Sequence, residues 1–319
     1  MVDEKPAAET TGVFTQPEEA VATKTNLFLG EHGLRPGWRL LIYLLMVTGG
    51  SIGINTVERM VHPLTGGVLG AKELLLQEVT GFGLAFGGAV IMSRIERRPL
   101  GVYGLPGKEM FGSKFWLGFL LGLAEISVLI GLISVFGGYS FGPVALQGRE
   151  ILVWGVFHLI MFTFVGLYEE FLFRGYTQFT LADGIGFWPA AVLLSVLFGA
   201  LHLGNSGEAL VGAASIVLIG VFWCFTLKRT GNLWYAVGLH ASFDWGESYL
   251  YSVPDSGQML QGHLSNAQLH GPTWLTGGTV GPEGSVFCFL TIGLQFLVVM
   301  WLFPAKKKEP AAETTRLSN

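Results

Sequence analysis

Eight apolar stretches, at about 38–57, 74–94, 115–137, 151–181, 187–204, 210–227, 232–250 and 285–303, decide what this chain can fold into. Most approach the roughly 20 residues that a helix needs to cross about 30 Å of hydrocarbon. Lipid offers no partner to backbone N–H and C=O groups, so a spanning stretch must close its hydrogen bonds within itself, as a helix does. The expected fold is an all-α polytopic membrane protein with about eight transmembrane helices. Only 13% of residues are charged, against roughly 25% in soluble domains. The 46 glycines agree, because small residues let membrane helices pack backbone to backbone. No internal repeat of 20–50 residues occurs, and no basic patch interleaved with aromatics points to nucleic acid.

Lys and Arg accumulate beside cytoplasmic helix ends. Arg35 and Arg39 precede the first stretch, and Arg94, Arg97, Arg98, Lys108 and Lys114 crowd the connection after the second. Lys228 and Arg229 follow the sixth, and Lys306, Lys307 and Lys308 follow the eighth. The segment 251–284 has no Lys or Arg. With eight spans, all four basic clusters fall on one side and that segment on the other, so both termini are expected to be cytoplasmic. The polar residues 1–34 read as an uncleaved, disordered cytoplasmic tail. The short loops suit a bacterial inner membrane. Residues 35–145 then hold the N-terminal transmembrane helices, 251–284 an extracytoplasmic loop, 285–303 the last span and 304–319 a basic tail.

Cys224 and Cys288 lie inside apolar runs with no CxxC pair, which reads as two structural thiols. His263 and His270 in the 251–284 loop are seven residues apart and read as ordinary loop polarity.

Charge within a bilayer is costly, so an ionisable residue there is paired, faces water or serves a function. Glu78, Glu125, His158, Glu169, Glu170, Arg174, His202, His240, Asp244 and Glu247 all need such an account. In Tyr168–Tyr176, YEEFLFRGY, Glu170 and Arg174 are four residues apart with the acid first, the favourable order for a helical ion pair. Glu169 points about 100° away and stays free. His202 closes FGALH, which begins at Phe198. In HASFD, Asp244 is placed one turn from His240 and can fix its tautomer, with Glu247 on roughly the same face. Counted at 1.5 Å per residue, Glu169 lies ~18 Å from a helix end near Leu181, His202 ~22 Å from Phe187 and His240 ~12 Å from Asn232. All three ends are on one side, so a single site at moderate depth is expected.

EEFLFR, FGALH and HASFD resemble, in order, the EExxxR, FxxxH and HxxxN/D motifs of the CPBP (CAAX protease and bacteriocin-processing) family, which includes the Ras-converting CAAX endopeptidase. The resemblance covers roughly residues 150–250. It implies a catalytic membrane core at 146–250, built from helices four to seven, of an intramembrane glutamic endopeptidase, a peptide hydrolase that needs no cofactor. By the same resemblance Glu169 and His202 would activate water. His240 and Asp244 would form the oxyanion site, and Glu170, Arg174 and Phe198 would support it. Its partners would be a peptide or protein substrate, lipidated or not, and the bilayer. Two other readings remain: a zinc protease using Glu169, His202 and His240 as ligands, and a non-enzymatic scaffold or proton-coupled transporter.

Overall fold

Glycines interrupt the apolar runs where the chain changes direction. The computed structural model describes residues 27–30, 33–61, 70–204 and 210–305. Residues 1–26 and 306–319 of the two expected tails, including Lys306 to Lys308, lie outside the described residues. The helices are α1 (Pro36–Val61), α2 (Ala71–Glu96), α3 (Ser113–Val135), α4 (Arg149–Arg174) and α5 (Tyr176–Ile185). They continue with α6 (Phe187–His202), α7 (Leu210–Thr230), α8 (Trp234–Asp244), the four-residue α9 (Thr273–Thr276) and α10 (Val286–Leu302). Strand is confined, among the described residues, to short antiparallel pairs such as Tyr139–Ser140 with Gln268–Leu269.

The protein is an all-α, multi-pass membrane protein. Among the described residues, five helical stretches are long and apolar enough to cross a bilayer: Pro36–Ile54, Ala71–Glu96, Ser113–Val135, Arg149–Ile185 and Leu210–Thr230. α6 and α10 are apolar but shorter. Large side chains such as Leu45, Ile52, Leu120, Leu152 and Leu297 are exposed on the outer faces, where only lipid removes them from water.

Two of the expected spans differ in detail. The fourth is not one helix, because it breaks at Gly175, whose ψ of -124° leaves the helical region. A Cβ there would collide with the Phe171 carbonyl. Glu169 is therefore only five residues, ~8 Å, from the end of α4, and α5 carries the chain onward. The seventh stretch stays α-helical only to Asp244, and Trp245–Leu250 widens into a π-helical turn. Its i→i+5 bonding departs from the 3.6-residue period of the helix before it.

α8 is buried on nearly every side, and packs against α3, α4 and α7. Contact with α3 is backbone on backbone. A Cβ at Gly118, Gly122 or Gly238 would strike the carbonyl of Tyr235, Leu239 or Phe115. Where helices have no hydrophobic drive to associate, such close approach supplies the dispersion contacts that hold them. α4 approaches α8 at Gly166, beside the His240 Cβ.

At one end of the bundle Arg39 and Arg98 each place a nitrogen 2.8 Å from the Asp183 carboxylate. Arg39 also lies 3.5 Å from Glu96. Basic residues from the first turn of α1 and from just after α2 thus meet the end of α5. At the other end, the 251–284 segment folds back onto the helices. His158 Nε2 of α4 is 3.0 Å from the Gln261 carbonyl, and Tyr249 donates to the Ile151 carbonyl at 2.5 Å.

Candidate active site

The adjacent acids of α4 have different surroundings. Glu170 is fully buried, and its Oε1 receives Arg174 Nη1 at 3.4 Å from one turn onward. The same oxygen lies 3.2 Å from His240 Nδ1 of α8. The i,i+4 spacing accounts for the first partner only; the second joins residues 70 positions apart. Glu169 is turned away from Arg174 and keeps a quarter of its side chain exposed. Its Oε2 lies 3.8 Å from His240 Nε2.

His240 is held at three edges. Nδ1 faces Glu170, Nε2 is 3.2 Å from Asp244 Oδ2, and the ring lies flat on Trp223 with centroids 4.3 Å apart at 19°. A ring carrying both protons donates Nδ1–H to Glu170 and Nε2–H to Asp244. Trp223 also faces Arg174, whose guanidinium carbon is 5.0 Å from the indole and 4.4 Å from the Phe198 ring. Arginine over an aromatic face is attracted to its quadrupole, so Phe198 and Trp223 position the cation that positions Glu170. Gly220 makes room for it, since a Cβ there would come within 2.6 Å of Arg174 Nη2.

His202, the last residue of α6, donates Nδ1–H to the Phe198 carbonyl at 2.8 Å and packs edge-on against the Phe198 ring. In a neutral ring this leaves Nε2 as the acceptor.

A cavity of about 270 Å³ gathers these groups. Glu169, His202, His240 and Asp244 all line it, as does Phe198. Five motif residues from three helices thus border one space, whereas Glu170 and Arg174 sit behind it. Glu78 of α2, flagged by its position in an apolar run, lines the cavity too. Trp223, Asp255 and Glu283 also line it and were not anticipated. An aromatic in a membrane span carries no distinguishing signal, and neither do single acids in a polar loop. Burial, with Asp244 close by, pushes the Glu283 carboxyl up to about 7 and holds Asp255 well above the ordinary carboxylate range.

Among the described residues, Glu169, His202 and His240 do not bring three ligand atoms within 4.8 Å of one another. The geometry gives the zinc reading no support.

Residues 150–246 match the family model described as type II CAAX prenyl endopeptidase, Rce1-like. Over those residues the chain is similar to the CAAX-protease family. The matched stretch runs from the start of α4 into the π-helical turn after α8, and so contains every motif residue at the cavity. No curated protein matches the chain. The family is one of membrane peptidases, and the acids and imidazoles around the cavity are residue types suited to peptide hydrolysis.

Proposed function

We propose that the protein is an intramembrane endopeptidase of the glutamic type, with Glu169 as the base that activates water. The observation that carries this reading is the division of labour between neighbours. Glu170 is enclosed by Arg174 and His240, while Glu169 borders the cavity with no cation of its own helix beside it.

In the proposed sequence, Glu169 takes a proton from a water molecule as its oxygen attacks the scissile carbonyl. The carbonyl oxygen gains the charge and accepts a hydrogen bond from His240 Nε2–H, a proton it then shares with Asp244, in a type of contact worth about 2.7–4 kcal/mol in characterised oxyanion holes. His202, with Nε2 free to accept, shares the water or relays its proton to the leaving amine. The C–N bond then breaks, giving a carboxylate and an amine.

Asp244 acts through His240 by holding its Nε2–H in place. Asparagine retains an acceptor oxygen at that position and leucine does not. Asp244→Asn is therefore expected to keep at least a tenth of the kcat/KM, and Asp244→Leu to lose about 100-fold or more. Equal losses in the two variants would mean that the aspartate charge itself is required.

The substrate is proposed to be a membrane-associated peptide, with prenylated CAAX-type chains as the first class to test. The orientation proposed from the basic clusters places both termini in the cytoplasm. The test uses the purified full chain, a farnesylated peptide and its unprenylated counterpart, with and without chelator. Cleavage of the farnesylated peptide at least tenfold faster supports a lipidated substrate. Equal rates point to an unlipidated one, and absence of cleavage across a broad peptide library sinks the peptidase reading.

A further inference from the structure

A second cluster of carboxylates lies next to the cavity and takes no part in the proposed hydrolysis. Glu247 of the π-helical turn, Asp255 at the start of the 251–284 segment and Glu283 at its end each bring a carboxylate oxygen within 4.8 Å of the others. We propose that these three residues bind one hard divalent cation of the Ca²⁺ class, which ties the segment to the end of α8.

Glu247 is the residue that requires a ligand. It is fully buried, and neither carboxylate oxygen has a hydrogen-bond partner. A buried carboxylate with no partner is strongly disfavoured unless a cation or a proton neutralises it. The segment 251–284 offers no Lys or Arg for that purpose. The other two acids are already oriented from behind. Ser248 Oγ donates to Asp255 Oδ2 at 3.2 Å, and the Ser256 N–H and hydroxyl both donate to Glu283 Oε2 at 3.0 Å. Hydrogen bonds that fix ligand carboxylates in this way are the usual outer shell of a metal site.

Gly281, at φ +115°, leaves the approach to Glu247 open. A Cβ there would lie 3.2 Å from Glu247 Oε1 and would collide with the Pro254 carbonyl. The backbone therefore comes close to the acid where any side chain would fill the space.

Donor chemistry and spacing select the ion. Three carboxylates without nitrogen or sulfur favour a hard cation over zinc. Calcium takes oxygens at about 2.3–2.6 Å, so ligands on opposite sides of it stand up to roughly 5 Å apart. Magnesium, at about 2.0–2.1 Å, would require the three to close in. Asp255 and Glu283 also line the active-site cavity, so the ion would hold part of its wall.

Cation binding is measured directly and does not depend on peptidase activity, so it can fail or succeed independently of the proposed mechanism. Full-length protein in detergent, stripped with chelator, is titrated with Ca²⁺ by calorimetry and followed by thermal unfolding. One ion per chain is expected, with a rise in Tm of about 3 °C or more at saturation, and Mg²⁺ binding at least tenfold weaker. Glu247→Gln and Glu283→Gln are each expected to weaken Ca²⁺ binding by about 10-fold or more. Two substitutions guard against one that fails to fold, which size-exclusion elution and helical circular dichroism report. Absence of saturable binding up to about 5 mM Ca²⁺, preference for Mg²⁺, or unchanged affinity in a folded variant overturns the assignment.

Discussion

Glu169→Gln is expected to lower kcat/KM about 1,000-fold while leaving the protein folded, within the 10²–10⁴ range attributed to general-base catalysis. Glutamine keeps the size of the side chain and a carbonyl acceptor but cannot take a proton from water. The fold should tolerate the change, because Glu169 makes no ion pair within its helix and its closest charged neighbour, His240 Nε2, is 3.8 Å away. Glu170→Gln provides the contrast. That substitution removes the charge shared by Arg174 and His240 inside the core, so activity and thermal stability should fall together. The measurement is cleavage of a quenched peptide together with the Tm of each purified variant. A Glu169→Gln protein that retains more than a tenth of wild-type activity would remove Glu169 from the mechanism.

That the two glutamates differ was legible from local spacing alone. A separation of four residues assigns Glu170 to Arg174 and places Asp244 under His240, and both contacts are present. Long-range partners were not legible. The Glu170–His240 contact and the Trp223 stack depend on how α4, α7 and α8 cross, which no periodicity encodes. The motif resemblance stood in for that information by bringing Glu169, His202 and His240 together before any packing was known.

The helices were legible because hydrocarbon imposes a minimum length on an apolar run. The break at Gly175 was not. In a chain with 46 glycines, one more glycine in a membrane helix is no stop signal, and the residues beyond it remain largely apolar. The widening after Asp244 was hidden for a similar reason, since a π-helical turn has no compositional mark. Nor does the sequence show that Glu247 lies beside Asp255 and Glu283. Asp255 and Glu283 carry no distinguishing mark in a 251–284 segment that is polar and rich in glycine. They turn inward because His158 and Tyr249 anchor that segment onto the bundle.

The buried ion pair gives the largest expected effect on stability. Arg174 and Glu170 are both fully buried, and removing one partner of such a pair strands the other charge at a cost of about 3–5 kcal/mol. Arg174→Met is expected to fall in that range, because Glu170 then keeps only His240 as a partner and the Phe198 and Trp223 faces lose their cation. The Glu170→Gln/Arg174→Met double variant should be destabilised by less than the sum of the single changes, since no buried charge of the pair is left unopposed. Its activity should stay low all the same. Glutamine at 170 accepts more weakly from His240 Nδ1–H than a carboxylate does, so the imidazole loses the anchor that aims Nε2 into the cavity. Denaturant or thermal unfolding in detergent measures the first effect and peptide cleavage the second. Recovery of stability without recovery of activity identifies the pair as a positioning device for His240, whereas recovery of both would reduce it to a packing element.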